Sequence, residues 1–273
     1  MHTSIIVNHY RSPEVLKTCL GYLSDWQKQF NKESEIIVTD SEFTNETQEM
    51  VNDKYPAVTY IGEQKNVGFG VMVNKGIDKS RGKFLFIVNA DVFVTEPEEL
   101  NKLIDYLEKN EEVGIAGPKL LNFDETFQPS AFRYYTPITI ILRRSFWGKT
   151  KWGEGKLNEF ELQDTKNLLN KTNYVDWLMG SAFIVRREVI DKIGKFDERF
   201  FMYMEDVDFC RRIWQTKYKV AYYPLSKMYH FHGAASRSRN IFKALFNKYT
   251  RIHLASAYKY FRKHGVKKVR HGI

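Results

Sequence analysis

Short apolar runs rich in β-branched residues alternate with helical patterns along the first half of the chain. Strands are predicted at residues 4–8, 35–39, 58–61, 83–88 and 113–117. Helices are predicted between them, starting at residues 12–13, at residue 44, at residue 71 and at residue 97. This alternation is typical of a parallel sheet wrapped by helices. The chain is therefore predicted to be an α/β protein.

The second half of the chain is less regular. Between residues 118 and 173 aromatic and basic side chains are interspersed, which predicts loops and helices. Regular structure is predicted again in strands at 181–185, 220–223 and 227–231 and in helices at 188–193 and from 205 to about 215. We predict one domain over residues 1–236, divided into halves 1–117 and 118–236, followed by a C-terminal tail of residues 237–273.

Nearly all of the chain's basicity lies in that tail. The formal net charge is +9, but residues 237–273 carry eleven Lys or Arg and no Asp or Glu, which leaves −2 for the rest. Apolar residues recur there at helical spacing, namely Ile241, Leu245, Tyr249 and Ile252. Such a helix could lie on an anionic membrane surface, or it could pack on the domain with a solvated basic face. Nucleic acid is not an expected partner, because no zinc-finger, homeodomain or RNP-type pattern accompanies the charge.

The remaining composition bears on location and on redox chemistry. No window approaches the eighteen or so apolar residues of a membrane span, and the amino terminus lacks the regions of a signal peptide. We therefore expect a cytoplasmic protein, peripheral on the cytoplasmic face of the membrane if the tail binds there. Cys19 and Cys210 are too few for a disulfide scaffold, and both are expected to be reduced and buried.

Three carboxylates directly follow a run of bulky apolar residues near the start of the last predicted helix. They are Glu205, Asp206 and Asp208, after the aromatic and methionine side chains of residues 200–204. A carboxylate held beside apolar groups has its pKa raised toward the range that suits a general base. The alternative is that Glu205 and Asp206 stabilise the positive end of the helix dipole.

Polar residues also stand where three of the predicted strands end. Asp40 follows the second strand, Asn66 and Gly68 follow the third, and Asn89-Ala90-Asp91 ends the fourth. Each alone could form an ordinary turn, but ligands of open α/β sheets bind at the carboxyl ends of the strands.

Asp91 is the candidate ligand of a divalent cation that would neutralise a bound diphosphate. A second ligand could come from His230 or His232, which share one face of a strand, and His230 is preferred.

These stretches together resemble the inverting glycosyltransferases of family 2, which have the GT-A fold, and most of all the rhamnosyltransferase-like branch. The resemblance extends in order from residue 4 to about residue 236. The matching stretches lie at residues 4–10, 36–41, 66–70 with Asn74 and Gly76, 88–91, 177–187, 194–198 and 205–208, ending at His230.

The resemblance implies a role for each matching position. Asp40 would read the nucleotide base, and Asp91 would bind Mg²⁺ or Mn²⁺ together with the diphosphate. Asp206, with Glu205 beside it, would be the general base that activates an acceptor hydroxyl. Further contacts with the nucleotide-sugar would come from Asn66, Gly68, Asn74, Asn89 and Arg211, and contacts with the acceptor from Trp177 and Asp208. A buried core position is the commoner role for a tryptophan such as Trp177.

The expected activity is transfer of one sugar from a nucleoside-diphosphate donor to a glycan or to a polyprenyl-diphosphate-linked acceptor. The resemblance favours dTDP-L-rhamnose as the donor, and UDP-sugars are the alternative. Two sequence features depart from the family pattern: Asn89 replaces the first Asp of the metal motif, and Thr39-Asp40-Ser41 replaces the commoner Val-Asp-Asn. The alternative that is not an enzyme is a catalytically silent nucleotide-binding module of the same fold.

Overall fold

The computed structural model describes residues 1–163, 170–231, 247–267, 269 and 271. The strands are β1 Thr3–His9, β2 Ser34–Ser41, β3 Thr59–Glu63, β4 Phe84–Asn89, β5 Val92–Phe93, β6 Val113–Leu121, β7 Phe127–Gln128, β8 Ala131–Phe132, β9 Asn173–Tyr174, β10 Trp177–Leu178, β11 Ala182–Arg186 and β12 Lys219–His230.

The α-helices surround this sheet, and a short 3₁₀-helix at Phe146–Lys149 joins two of them. They are α1 Pro13–Gln29, α2 Asn45–Lys54, α3 Phe69–Lys79, α4 Pro97–Lys109, α5 Pro137–Arg144, α6 Lys151–Phe160, α7 Arg187–Ile193, α8 Glu205–Trp214 and α9 Lys248–His264.

The central sheet is mostly parallel, as predicted. Its strands lie in the order β3-β2-β1-β4-β11-β6-β12-β5. The first four pair in parallel, and so do β6 and β12, whereas β11 is antiparallel to both of its neighbours. In the register of the parallel strands, His9 lies opposite Asp40 and Asn8 lies opposite Asn89. The polar residues that end these strands are therefore brought to one edge of the sheet.

Helices cover both faces of the sheet because alternate strand residues point to opposite sides. On one face Ile5 and Val7 pack with apolar residues of α1 and α4. On the other face Ile6 packs in the core that includes residues of α3, α8 and α9. Cys19 and Cys210 are both free and buried, as expected from the sequence.

The predicted strands at 220–223 and 227–231 are one strand, β12, with an irregularity between them. Its pairing with β6 shifts register between Tyr223 and Lys227. Pro224 lies in that interval and has no N–H to donate. The backbone N–H of Lys227 instead donates to a side-chain oxygen of Glu99, at 2.6 Å. The proline, where the pairing shifts, thus explains why the sequence pattern predicts two strands.

The described part of the C-terminal tail contains a helix that packs on the domain. Residues Thr250, His253, Ser256, Ala257 and Tyr260 of α9 are buried. This arrangement matches the alternative in which the helix packs with a solvated basic face. The apolar positions Ile241 and Leu245 lie outside the described residues. Within the described ranges, no helix is both long and apolar enough to cross a bilayer.

Candidate functional site

Asp40 ends β2 and is fully buried between two side chains. Its Oδ2 accepts a hydrogen bond from the Tyr60 hydroxyl at 2.6 Å, and its Oδ1 lies 2.8 Å from Nδ1 of His9. The backbone N–H of Ser12 donates to Nε2 of His9 at 2.9 Å, which assigns the ring proton of neutral His9 to Nδ1, facing Asp40. Asp40 is thus a fixed acceptor at the sheet edge. That it contacts a nucleotide base stays a prediction.

An ion pair connects the two loops that follow β1 and β2 at this edge of the sheet. Arg11 and Glu42 follow β1 and β2, and their side chains pair with one another. Both backbones adopt positive φ, 56° at Arg11 and 69° at Glu42, a conformation that is uncommon for residues other than glycine. The Arg11 guanidinium lowers the pKa of Glu42. A sequence of ordinary loop residues gave no signal for this pair, because it depends on two loops that are neighbours only in the folded sheet.

Gly68 and Asn74 connect the two halves of the domain. Gly68 has φ 98°, and a Cβ there would overlap the carbonyl oxygen of Phe201 in the segment before α8. The Asn74 side chain accepts from the N–H of Phe196 at 2.9 Å and donates to its carbonyl oxygen at 3.0 Å. Asn66 accepts a hydrogen bond from the N–H of Gly68 at 2.9 Å. These residues therefore position the segment that leads to Asp206, and direct contact with a nucleotide stays a prediction.

Asp91 and His230 are brought together at the end of the sheet. Oδ1 of Asp91 lies 3.4 Å from Nε2 of His230, and Nδ1 of the same imidazole lies 2.7 Å from Oε1 of Gln128. Backbone pairing supports the arrangement, because the N–H of Phe231 donates to the carbonyl oxygen of Asp91 at 2.8 Å. Gln128 was not predicted, since a residue 102 positions away carries no local signal for this contact. His232, the other candidate, lies outside the described residues.

The pair has the donor chemistry of a partial metal site. Oδ1 of Asp91 is buried, and no described residue hydrogen-bonds to it. A carboxylate and an imidazole whose other nitrogen has a partner are ligands that suit Mn²⁺. In the part of the chain that the structure describes, no three His, Cys, Asp or Glu side chains form a metal-binding group. Among the described residues, Asp91 and His230 are therefore the candidate ligands, and a metal held by them would need further ligands such as a diphosphate and water.

Asp206 is the second residue of α8, and its carboxylate accepts hydrogen bonds from two backbone N–H groups. The N–H of Gly180 donates to Oδ2 at 2.9 Å, and the N–H of Val207 donates to Oδ1 at 2.8 Å. Burial raises the pKa of Asp206 to about 6, against these hydrogen bonds, which lower it. The carboxyl is therefore ionised at neutral pH but remains basic enough to accept a proton.

Glu205 is the buried neighbour of Asp206. Burial, and next the negative charge of Asp206, raise the pKa of Glu205 well above its ordinary value. Its Oε2 is buried, and none of the described residues hydrogen-bonds to it. Both causes favour the protonated form of Glu205, since a buried carboxylate beside a second carboxylate resists ionisation. Before the pair, Tyr203 and Met204 adopt positive φ, 69° and 72°.

A short series of hydrogen bonds connects Asp206 to the loop of Asn89 and Asp91. The N–H of Asn89 donates to the carbonyl oxygen of Ser181 at 2.8 Å, and the adjacent Gly180 donates to Asp206. Asn89 precedes Asp91 by two residues, so the candidate base and the candidate metal ligand stand at one edge of the sheet. A Cβ at Gly180 would lie 3.5 Å from Asp206 and 3.4 Å from Phe69, which is van der Waals contact distance, so the backbone of Gly180 packs closely beside the Asp206 carboxylate.

Three other predicted site residues have structural partners. Asp208 is fully buried and pairs with Arg212, Lys263 and His264. Burial raises its pKa, but the bonds from His264, Lys263 and Arg212 outweigh this, so the pKa lies below its ordinary value. Asp208 therefore joins α8 to α9.

Arg211 and Trp177 likewise face protein groups. The Arg211 guanidinium donates to the Tyr260 hydroxyl at 3.0 Å and to the carbonyl oxygen of His264 at 3.2 Å. Trp177 is buried, its ring stacks on Phe132 at a centroid distance of 4.5 Å, and its Nε1 donates to the carbonyl oxygen of Arg133. Both side chains contribute to packing as the structure has them, Arg211 against α9 and Trp177 in the core.

The comparison with known protein families settles the class of this molecule. The family model of Glycosyl transferase family 2 matches residues 4–194, which hold the strand-end residues Asp40 and Asp91. The chain belongs to glycosyl transferase family 2. It is therefore a glycosyltransferase, and its mixed sheet is that of the GT-A fold.

Curated relatives include several rhamnosyltransferases. The chain is 28% identical over 219 residues to the N-acetylglucosaminyl-diphospho-decaprenol L-rhamnosyltransferase of Mycobacterium tuberculosis, an alignment that covers 75% of this chain and 68% of the relative. It is 32% identical over 95 residues to the rhamnosyltransferase WbbL of Escherichia coli, covering 35% of this chain and 34% of WbbL. The glycosyltransferase is thus rhamnosyltransferase-like in sequence.

Solved glycosyltransferases share the fold at low sequence identity. The mannosyltransferase PcManGT of Pyrobaculum calidifontis, in complex with GDP-Man and Mn²⁺, superposes with a TM-score of 0.58 at 16% identity, covering 94% of this chain and 69% of that one. Residues 1–349 of TarS from S. aureus give a TM-score of 0.56 at 18% identity, covering 84% of this chain and 60% of TarS 1–349. These similarities establish the fold.

Proposed function

We propose that this glycosyltransferase transfers a sugar with inversion from a nucleoside-diphosphate donor to an acceptor hydroxyl, with Asp206 as the general base. The observation that carries the proposal is the pair of hydrogen bonds that connects Asp206 through Gly180 and Ser181 to the loop of Asn89 and Asp91. A base and a diphosphate site at one edge of the sheet are what a single displacement requires.

In the proposed step the acceptor oxygen attacks the anomeric carbon from the face opposite the diphosphate. The Asp206 carboxylate takes the hydroxyl proton as the new carbon–oxygen bond forms, and the bond from the anomeric carbon to the diphosphate oxygen breaks. The nucleoside diphosphate leaves with that electron pair. Glu205 takes no part in this proton transfer, and burial together with the charge of Asp206 raises its pKa well above the ordinary value, which favours its protonated form.

Asp91 and His230 would hold a divalent cation, Mg²⁺ or Mn²⁺, against the donor's diphosphate. When bound, the metal would stabilise negative charge on the leaving group. The imidazole is oriented by Gln128, which lies within hydrogen-bonding distance of its other nitrogen. Mn²⁺ accompanies the donor in the complex of PcManGT and accompanies UDP and GalNAc in that of GalNAc-T7. These complexes support a metal here by analogy of fold alone.

We propose dTDP-L-rhamnose as the donor and a polyprenyl-diphosphate-linked glycan as the acceptor, for assembly of a cell-envelope polysaccharide. The support is the similarity to the mycobacterial enzyme, whose name specifies a rhamnosyl group and a diphospho-decaprenol acceptor. UDP-sugars are the second candidate, because the UDP complex of TarS 1–349 shares this fold. A donor panel separates the two candidates.

The test is release of nucleoside diphosphate from dTDP-rhamnose, UDP-glucose, UDP-N-acetylglucosamine and GDP-mannose, each with Mn²⁺ or with EDTA. We expect release from one donor in the presence of a polyprenyl-diphosphate-linked acceptor, and loss of release with EDTA. An Asp91→Asn variant should show the same loss in the presence of Mn²⁺.

Turnover of a UDP-sugar in place of dTDP-rhamnose would contradict the rhamnosyl assignment alone. Equal turnover with EDTA would contradict the metal role. Binding of a nucleotide without turnover of any donor would favour the catalytically silent module instead.

A further inference from the structure

An exposed apolar surface lies on the consecutive helices α5, the 3₁₀-helix and α6. It consists of Ile138 and Ile141 on α5, Phe146 and Trp147 on the 3₁₀-helix, and Trp152 on α6, each more than half exposed. We call these five residues the α5–α6 surface. Single exposed apolar side chains are ordinary, but five large ones within fifteen consecutive residues indicate a binding surface.

The segment that carries this surface is well packed underneath. Leu142 and Phe160 are buried on its inner side. A Cβ at Gly148 would overlap the carbonyl oxygen of Leu142, and one at Gly153 would overlap that of Trp147. The two glycines therefore allow close packing of α5, the 3₁₀-helix and α6. The exposed aromatic residues are presented by a folded unit.

Basic side chains are interspersed with the apolar ones. Residues 137–156 contain five Lys or Arg and one Glu. Lys149 and Lys151 are exposed between Trp147 and Trp152. Tryptophan beside lysine is the composition that favours the boundary between lipid headgroups and acyl chains, where the indole is partly buried and the ammonium meets lipid phosphate.

We infer that the α5–α6 surface is a membrane-docking site that inserts into the headgroup region of an anionic phospholipid bilayer. Charge favours this occupant over a second copy of the chain, because a two-fold contact would bring the like-charged Lys149 and Lys151 of two molecules together. Anionic lipid attracts the same lysines. The sequence alone pointed to the C-terminal tail for this role, whereas the described part of that tail, α9, packs on α8.

The surface is structurally continuous with the candidate site. Tyr135, directly before the N-cap of α5, stacks near Trp177 at a centroid distance of 5.6 Å. Trp177 lies in β10, and Gly180, which donates to Asp206, follows shortly after that strand. The inference rests on the proposed function, because docking would bring the candidate site to a polyprenyl-linked acceptor at the bilayer surface.

The experiment is co-sedimentation of the full chain with vesicles of phosphatidylcholine, alone or mixed with phosphatidylglycerol. We expect binding to the mixed vesicles, with a blue shift of tryptophan fluorescence. The triple change Phe146→Ser, Trp147→Ser and Trp152→Ser should lower the vesicle partition coefficient roughly tenfold or more, because each aromatic ring contributes buried apolar area. The double change Lys149→Glu and Lys151→Glu should remove the preference for phosphatidylglycerol.

Matched controls distinguish this surface from exposed aromatic residues elsewhere. Phe123→Ser and Tyr258→Ser change side chains that are 57% and 68% exposed, the second on α9, and should leave vesicle binding unchanged. Wild-type protein that does not bind mixed vesicles, or a triple variant that binds as wild type does, would overturn the inference. If the wild-type protein is a dimer in solution and the triple variant is a monomer, the inference is overturned and the surface is assigned to a second copy of the chain.

Donor turnover is measured on the same samples with a short, water-soluble acceptor. If that turnover is absent while vesicle binding responds to the variants as expected, the proposed function fails and the docking surface stands. If turnover with the soluble acceptor is normal in all variants while vesicle binding does not depend on the surface, the docking inference fails alone.

Discussion

At the scale of single residues, Asp206 and Glu205 are adjacent carboxylates with different surroundings. Asp206 is held by the N–H groups of Gly180 and Val207, whereas Oε2 of Glu205 is buried and accepts no hydrogen bond from the described residues. Burial raises the pKa of Asp206 to about 6, and burial together with the charge of Asp206 raises the pKa of Glu205 well above its ordinary value. The raised pKa suits Asp206 to accept a proton, and the surroundings of Glu205 favour its protonated form.

The first prediction concerns the pH dependence of transfer. A general base acts only when ionised, so kcat should rise with pH through about 6 and level off above it, as Asp206 loses its proton. The measurement is kcat between pH 5 and pH 8 at saturating donor. A rate that is flat or falling from pH 5 to pH 7 would contradict the assignment of Asp206.

The second prediction concerns stability. The folded protein holds the Asp206 proton up to about pH 6, whereas the unfolded chain loses it near the ordinary pKa of aspartate. The unfolded state therefore binds fewer protons between these values, and the contribution of Asp206 to the free energy of unfolding falls as pH rises through this window. Asp206→Asn removes this pH-dependent contribution. The free energy of unfolding of the variant, minus that of the wild type, should therefore be more positive at pH 7.5 than at pH 4. Denaturant unfolding of both proteins at pH 4 and pH 7.5 measures this difference, and an equal difference at the two pH values would contradict the raised pKa of Asp206.

At the scale of elements, the segment before α8 is fixed by contacts from residues 1–117. A Cβ at Gly68 would overlap the carbonyl oxygen of Phe201, and Asn74 forms two hydrogen bonds with the backbone of Phe196. Glycine and asparagine at these positions thus have a packing reason that does not require a ligand. They set the position at which α8 begins and hence where Asp206 stands.

Gly68→Ala tests that dependence. The new Cβ would meet Phe201 and the backbone would keep φ 98°, so we expect a loss of about 2–4 kcal/mol in the free energy of unfolding, with a fall in kcat. The matched control is Gly155→Ala in α6, where a Cβ meets nothing within 4 Å. Alanine there should gain about 0.5–1 kcal/mol from helix propensity. Equal effects of the two changes would contradict the packing role of Gly68.

At the scale of the whole molecule, α9 packs on the rest of the described fold. Tyr260 is fully buried and its hydroxyl accepts a hydrogen bond from Arg211, while Lys263 and His264 pair with the buried Asp208. All three contacts reach α8, the helix that carries Asp206. Loss of α9 should therefore disturb the site from its far side.

Tyr260→Ala and Tyr258→Ala compare the two faces of this helix. Removing the buried ring should cost about 3–5 kcal/mol and lower transfer, since it leaves a cavity beside α8. Removing the ring of Tyr258, which is 68% exposed, should change stability by about 0.5 kcal/mol or less. Thermal and denaturant unfolding measure both changes. A Tyr260→Ala variant as stable as Tyr258→Ala would contradict a structural role for α9.

Much of the fold was predictable because it depends on local patterns. Strands followed by polar residues placed Asp40, Asn89 and Asp91 at one edge, and parallel register brought them there. The proximity of His230 to Asp91 was also expected, since both end strands of that sheet. These inferences use only periodicity and the geometry of parallel strands.

The remaining features depend on contacts between distant parts of the chain. The proximity of Gln128 to His230, the bond from Gly180 to Asp206 and the burial of Arg211 against Tyr260 join residues 102, 26 and 49 positions apart. A charged or amide side chain has the same sequence signature whether it binds a ligand or another helix. The sequence therefore predicts ligand contacts for Arg211 and Asp208, the structure shows partners for both on α9, and contact with a ligand stays a prediction.

The central claim is tested most directly by the transfer rate and the nucleotide affinity of Asp206→Asn, measured on one preparation. Loss of a general base should lower kcat by roughly 10²–10⁴-fold, because the acceptor proton then has no receiver. The dissociation constant of the nucleoside diphosphate should stay within about twofold of wild type, since in the proposed mechanism Asp206 contacts the acceptor hydroxyl and not the nucleotide. A variant that transfers sugar at the wild-type rate would remove Asp206 from the role of base and contradict the account.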